Sequence, residues 1–552
     1  MDILIVVVLG LLAIAVASML STRLGVAAPL LLVVAGIAVS LLPFVPTVQI
    51  DPEWILAGVL PPLLYSASVS MPAMDFRREF GAIGGLSVVL VVISATVLGL
   101  FFAWVIPGIG IWWGIALGAI VSPTDAVATS IVKKVGVTPR VVSILEGEGL
   151  LNDATALVLL RTAIAGTAAS VSFGGVLGTF VFAVAVAAVI GYLIGRLNLA
   201  LRSRVSDATV NTVLSFTVPF LASIPAEALG ASGLVAAVVA GLVTGHRAPR
   251  VLSARNRLSD SVNWRTVELV LEGTIFLLMG LELTAIVGDV YRDNAGIGSA
   301  ILIAAAALGL TILVRAAYVA PLLAWLRARA RRSEHLKPRL AEFTARLHNP
   351  VPPAAEATDG RPPGNRRDGL SGSLVPSPSR VERMRTRVRR ASADIDYLLA
   401  APLGWREGTI VVWAGMRGAV TLAAAQTLPA ETPNRSLLIF IAFVVAAASL
   451  LIQGGTLRRV VGLVKPATGS NREAEAVERS GILDLLFDAA KSVPTGLALA
   501  AKPQALAVIE AQRRALLDAR DDGLFSAGAL RNALAVLDAD QIRLELRGGS
   551  AG

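Results

Sequence analysis

Residues 141–166 read VVSILEGEGLLNDATALVLLRTAIAG. The stretch is long enough to cross a bilayer as a helix, which takes about 20 residues. Yet it holds Glu146, Glu148, Asn152, Asp153 and Arg161. On insertion scales each charge at the centre of a span costs about 2.5–3.5 kcal/mol. A helix surrounded by lipid would not carry that penalty, so this one must face a polar cavity or protein partners. Residues i and i+4 share a helix face, which stacks Glu148 on Asn152. Asp153 lies about 100° further round. An acid and an amide thus point into one neighbourhood, a turn away from Glu148. Such oxygen donors suit a hard cation.

The rest of the chain fits a membrane setting. Only 16% of its 552 residues are charged, 55% are hydrophobic, and the mean hydropathy is +0.72. A soluble domain carries about a quarter charged residues. There is no cysteine, which excludes disulfides, zinc–thiolate sites, iron–sulfur clusters and thiol nucleophiles. The net charge of +10 is assigned to topology rather than to nucleic acid, because Lys and Arg fall between the apolar blocks. The apolar run after Met1 and Asp2 has its positive charge, Arg23, behind it, so it reads as a retained first span rather than a secretory signal.

Hydropathy predicts about thirteen spans, among them 54–71, 111–132, 141–165, 266–287, 297–325 and 407–429. Odd-numbered loops hold the basic residues, such as Arg77 and Arg78, Lys133, Lys134 and Arg140, and Arg247 to Arg265; even-numbered loops are nearly free of them. The positive-inside rule then puts the odd loops and the C-terminus in the cytoplasm, and the N-terminus outside. The expected organisation is a transmembrane transport domain over 1–326 and 406–465, a basic, disordered cytoplasmic loop over 327–405, and a cytoplasmic helical tail over 466–552. Pro and Gly interleave with Arg in 349–377, a composition that cannot offset the entropy of ordering. In the tail, Ala507 to Leu517 and Ala529 to Leu546 show amphipathic spacing.

Two spans are interrupted. The fifth, IWWGIALGAIVSPTDAVATSIV (111–132), has Pro123 flanked by Ser122, Thr124 and Asp125. The twelfth has Gly415-Met416-Arg417-Gly418. Broken helices survive in a membrane where the freed backbone lines a cavity or meets partners, and transporters use them as ion sites. The eleventh span holds Arg315, which needs a buried carboxylate; Glu148 is the candidate, and a pair that fixes packing is favoured over direct ion contact. No second arginine remains for Asp153, which is therefore read as the ion- and proton-binding group. Arg161 either snorkels or pairs internally. An intramembrane hydrolase using Asp125 and Asp153 lacks the Gly-x-Gly-Asp context.

SPTDAVA (122–128), EGEGLLNDATALVL (146–159), FLLMGLEL (276–283) and GMRGAVTLAAA (415–425) occur in that order. Together they resemble bacterial members of the monovalent cation:proton antiporter-1 family, the sodium/proton exchangers. The resemblance implies an all-α, inverted-repeat fold of about thirteen transmembrane helices with two crossed, partly unwound helices. It also implies a homodimer in the plasma membrane that exchanges Na+, or Li+ or K+, for H+. It makes Asp153 the essential carboxylate and Asn152 its neighbour. Thr124 and Asp125 become the unwound-helix residues, with Asp153 and Thr124 holding the monovalent cation. Glu148 and Arg315 become a structural ion pair, and Arg417 the arginine of the second unwound helix. The Asn-Asp pair implies electroneutral 1:1 exchange for pH and sodium homeostasis. No enzyme activity, cofactor or nucleic acid is implied; a cation channel and a membrane sensor with a regulatory tail are the alternatives. Ser66 stands where many relatives carry an acid, and Gly149 where some have Ser.

Overall fold

The computed structural model describes residues 2–42, 51–168, 173–293, 296–348, 378–466, 472–494 and 501–546. These residues are helical with no strand. Helices α1 (Asp2–Leu24) and α2 (Ala28–Ser40) are followed by a π-helical stretch, Trp54–Val59, that runs into α3 (Leu60–Ser70). Next come α4 (Ala73–Gly84), α5 (Leu90–Val105), α6 (Gly110–Val121), α7 (Val127–Val135) and α8 (Pro139–Ala168). Helices α9 (Phe173–Arg202), α10 (Ala208–Ala228), α11 (Gly233–Val251), α12 (Ala254–Leu281), α13 (Leu283–Arg292) and α14 (Ile297–His348) complete the first part. After α15 (Pro378–Ala400) the chain re-enters the bundle as α16 (Trp405–Trp413), α17 (Ala419–Gln426), α18 (Arg435–Ser449) and α19 (Gly455–Val464). The tail is α20 (Arg472–Lys491), α21 (Ala501–Asp522) and α22 (Ala527–Leu546).

Among the described residues, seven helical segments are long and apolar enough to cross a membrane, and the apolar segments Ala28–Ser40, Trp54–Ser70 and Gly110–Val121 are shorter. The surface is inverted relative to a soluble protein. Leu4, Leu9, Leu12, Val181, Leu193, Leu302 and Leu313 are exposed, while Glu79, Arg140, Glu148, Arg202, Arg315 and Arg417 are buried. An exposed apolar belt of this extent matches lipid, and the buried charges must then be satisfied within the protein. Glu79 meets Arg140 at 2.5 Å, and Asp260 meets Arg202. Where helices touch closely, small residues permit it: a Cβ at Gly36 of α2 would lie 2.9 Å from the Gly280 Cα of α12.

The segment expected to be disordered over 327–405 has helix at both ends, since α14 continues to His348 and α15 begins at Pro378. Residues 349–377, the Pro- and Gly-rich part, lie outside the described residues. The helical part of α15 is ordered by ion pairs that sequence composition does not reveal. Its Arg389 and Arg390 meet Asp522 of α21, and its Asp394 meets Arg78 at 2.6 Å. The tail has a small core of its own from Ile482, Ile509, Leu516, Leu530 and Leu537. It is also pinned to the bundle. Arg78 donates to the Gly523 carbonyl at 3.1 Å, Arg250 meets Asp518 and Asp521 at 2.8 and 2.7 Å, and Arg257 meets Asp538 at 3.1 Å. The basic loops around Arg78, Arg250 and Arg257 therefore lie at the tail-bearing end.

Candidate ion-binding site

Pro123 cannot donate to the α6 ladder, and the chain leaves helical geometry between Val121 and Val127. A second break separates α16 from α17. The two breaks cross. The Asp125 amide donates to the Met416 carbonyl at 2.7 Å, and Gly418 touches the Asp125 carboxylate so closely that no Cβ fits there. Asp125 Oδ1 accepts from the Val127 amide at 2.8 Å, satisfying a free donor at the start of α7. Arg417 does the opposite work at the negative helix ends. Its Nε donates to the Val121 carbonyl at 2.9 Å, and its two terminal nitrogens reach the carbonyls of Gly415 and Ser122. Its backbone amide donates to Ser449 Oγ at 3.0 Å. No carboxylate pairs with Arg417 among the described residues; its charge is held by main-chain carbonyls.

Beside the crossing runs a buried chain of polar groups. Arg315 grips Glu148 with two bonds, 2.5 and 2.7 Å, and donates from Nε to the Val411 carbonyl at 2.9 Å. Thr124 Oγ1 donates to Glu148 Oε1 at 3.0 Å, and Asn152 Nδ2 donates to Thr124 Oγ1 at 2.6 Å and to its carbonyl at 3.0 Å. The Thr124 hydroxyl thus both donates and accepts within the protein, which ties Asn152 to Glu148, and one of its oxygen lone pairs is left over at the cavity it lines. Asn152 Oδ1 is buried and has no hydrogen-bond partner among the described residues. Asp153 is buried, and among the described residues it has no hydrogen bond or ion pair.

A cavity of about 210 Å³ lies against this network. Asp125, Asp153, Glu268 and Glu272 all line it. Sequence reading missed the two glutamates. They sit at i and i+4 on α12, inside the tenth expected span, and the same charge-in-a-span signal that marks α8 would have found them. Glu268 accepts from Ser66 Oγ at 3.4 Å. Glu272 has no partner among the described residues. Gly149 lines the cavity, with open space where a Cβ would go. The lining reaches the tail-bearing end through Ser70, Lys133 and Glu146, and Asp153 is the last residue of α8 along the chain to line it. Lys133 and Glu146 pair with each other there. Arg161 lies on the far part of α8, mostly exposed, 3.9 Å from Glu227. No group of three or more Asp, Glu or His is arranged to hold a metal among the described residues.

Crossed helix breaks, an unpaired buried carboxylate and a one-sided cavity in a membrane bundle define a secondary transporter of the broken-helix kind. The model of the sodium/hydrogen exchanger transmembrane family matches residues 9–341 and 390–462, and the chain belongs to that family. An uncharacterized Na+/H+ exchanger of Mycobacterium tuberculosis is 29% identical over 471 residues, covering 83% of this chain and 74% of the relative. The Escherichia coli exchanger YjcE is 37% identical over 256 residues, 43% of this chain and 45% of its own length. A sodium, potassium, lithium and rubidium/H+ antiporter of Bacillus subtilis is 29% identical over 305 residues, 53% and 46% of the two chains. The fold is similar to that of the sodium proton antiporter MjNhaP1 of Methanocaldococcus jannaschii, with a TM-score of 0.56, 15% identity, and 84% of this chain and 99% of that one covered.

Proposed function

We propose that the protein exchanges Na+, or Li+ or K+, for H+ across the plasma membrane, electroneutrally and one for one. It does so as a homodimer of thirteen-span protomers with the tail in the cytoplasm. One observation carries the reading. Asp153 is a buried carboxylate facing a cavity with no protein partner, while its neighbours Glu148, Arg315 and Arg417 are engaged. A buried carboxylate without a counter-charge must take a proton or a cation. It takes one at a time, which couples the two fluxes. Asn152 Oδ1, also without a partner, supplies a second oxygen, and Asp125 shapes the crossing from the other side.

Among the described residues the cavity lining extends to the tail-bearing end, which supports reading the arrangement as one access state. Basic loops at the same end support a cytoplasmic tail. Exchange requires a second state in which Asp153 is reached from the opposite side.

The test uses everted membrane vesicles and a pH-sensitive dye. Adding Na+, Li+ or K+ should move protons, unaffected by an ionophore that collapses the membrane potential, and Asp153→Asn should abolish the signal while inserting normally. Below the pKa of the site, the half-saturating cation concentration should rise about tenfold for each unit by which the pH falls, as competition for one group requires. Net current without proton movement would identify a channel instead.

A further inference from the structure

A second and larger cavity, about 750 Å³, lies between the tail and the bundle. Arg77, Arg257, Arg265, Arg390, Arg520 and Arg531 line it. His246 lines it too, and among the described residues Asp521 and Asp538 are its only lining carboxylates. Some of these arginines are committed. Arg257 holds Asp538, and Arg520 donates to Asp521 at 3.2 Å and to the His246 carbonyl at 3.0 Å. Arg390 reaches Asp522 at 3.3 Å, and Arg77 reaches Asp394 at 3.4 Å. Arg265 and Arg531 have no carboxylate within ion-pair distance among the described residues. Both are exposed into the cavity.

We propose that this cavity binds a polyphosphorylated anion, and that the bound anion promotes cation entry. The guanidinium fork matches phosphate oxygens, and the arginines come from α4, α12, α15, α21 and α22. A single phosphate cannot reach groups spread over so many elements, whereas a ligand with several phosphate groups can. The volume lies within the range of about 300–1,000 Å³ that small-molecule sites occupy.

The coupling follows from two shared features. Ser70 ends α3 and lines both cavities, and Arg531 donates to its carbonyl at 3.2 Å. Arg265, Glu268 and Glu272 fall at i, i+3 and i+7 of α12, one continuous face running from the large cavity into the small one. Unneutralised arginines beside this entrance repel the cation that Asp153 is to bind. A polyanion cancels that field and raises the local cation concentration.

The binding test does not depend on the exchange reading. The purified full-length protein is titrated calorimetrically with the tetramethylammonium salt of tripolyphosphate, alongside Arg265→Gln/Arg531→Gln. Binding is expected, weaker in the variant by at least about tenfold. Exchange is then measured in phosphatidylcholine vesicles, with tripolyphosphate on the tail side or with cardiolipin in the bilayer. A fall of at least about threefold in half-saturating Na+ is expected, and is lost in the variant. An effect of tripolyphosphate assigns a soluble ligand; an effect of cardiolipin alone assigns a lipid headgroup. Should the Gln variant fold poorly, R265K/R531K must still bind less tightly than the native protein, because Lys lacks the fork. Equal binding by native and variant proteins, or no binding of either probe, overturns the site. Binding that leaves exchange unchanged overturns the coupling.

Discussion

Arg315 of α14 holds both carboxylate oxygens of Glu148 on α8, at 2.5 and 2.7 Å, five residues before the unpaired Asp153. One helix thus carries two acids with opposite situations. Glu148 is locked by a guanidinium, a threonine hydroxyl and dense packing, whereas Asp153 faces a cavity. Removing one partner of such a pair strands a buried charge, at a cost of about 3–5 kcal/mol.

Glu148→Gln and Arg315→Gln should therefore each lower the melting temperature of the detergent-purified protein. Arg315→Lys should do so as well, since Lys cannot make the two-pronged contact. The Glu148→Gln/Arg315→Gln double variant should melt higher than the sum of the single losses predicts. Strict additivity would show that the pair contributes nothing as a pair.

Gly418→Ala tests the crossing. Its Cβ would occupy the position of the Asp125 carboxylate, which is fixed by the Val127 amide. The breaks must separate to admit it, so exchange should fall by at least about a hundredfold, the scale seen when a site is misplaced by an ångström. Gly149→Ala meets open space and should leave the stability within about 0.5 kcal/mol of that of the native protein.

Gly149→Ser adds a hydroxyl to the cavity beside Asp153. Fold and expression should be unchanged, and the ratio of half-saturating concentrations for Na+, Li+ and K+ should shift. Three unchanged affinities would show that the cation does not sit near this part of α8.

Glu272 faces the cavity without a partner, at the next turn after Glu268. Glu272→Gln removes from the cavity a carboxylate that can take up a cation on its way to Asp153. Half-saturating Na+ should rise several-fold, by about 1 kcal/mol of lost attraction, while maximal exchange persists. Loss of all exchange, as in Asp153→Asn, would make Glu272 a second obligatory carrier.

The breaks at 122–126 and 414–418 were legible because Pro123 and the paired glycines disrupt helices by local chemistry alone. The pairing of Glu148 with Arg315 follows from the cost of burying either one singly. The role of the Thr124 hydroxyl was not legible. Its two bonds, to Asn152 and to Glu148, depend on where α8 passes the break, which no local rule fixes. Glu268 and Glu272 carry the same charge-in-a-span signal as Glu148, within the span expected over 266–287, and were not singled out. The helix of α15 was hidden because its order comes from Asp522 and Arg78, far away in the chain.

Arg417 replaces backbone donors missing from two helices at once, and the Asp125 amide returns the bond through Met416. The crossing therefore works as a rivet. Sliding one break past the other would leave several main-chain carbonyls bare in a water-poor interior, each at a cost of about 1–3 kcal/mol. The cheaper motion carries both breaks, with Asp153 beside them, as one rigid unit past the helices that surround it.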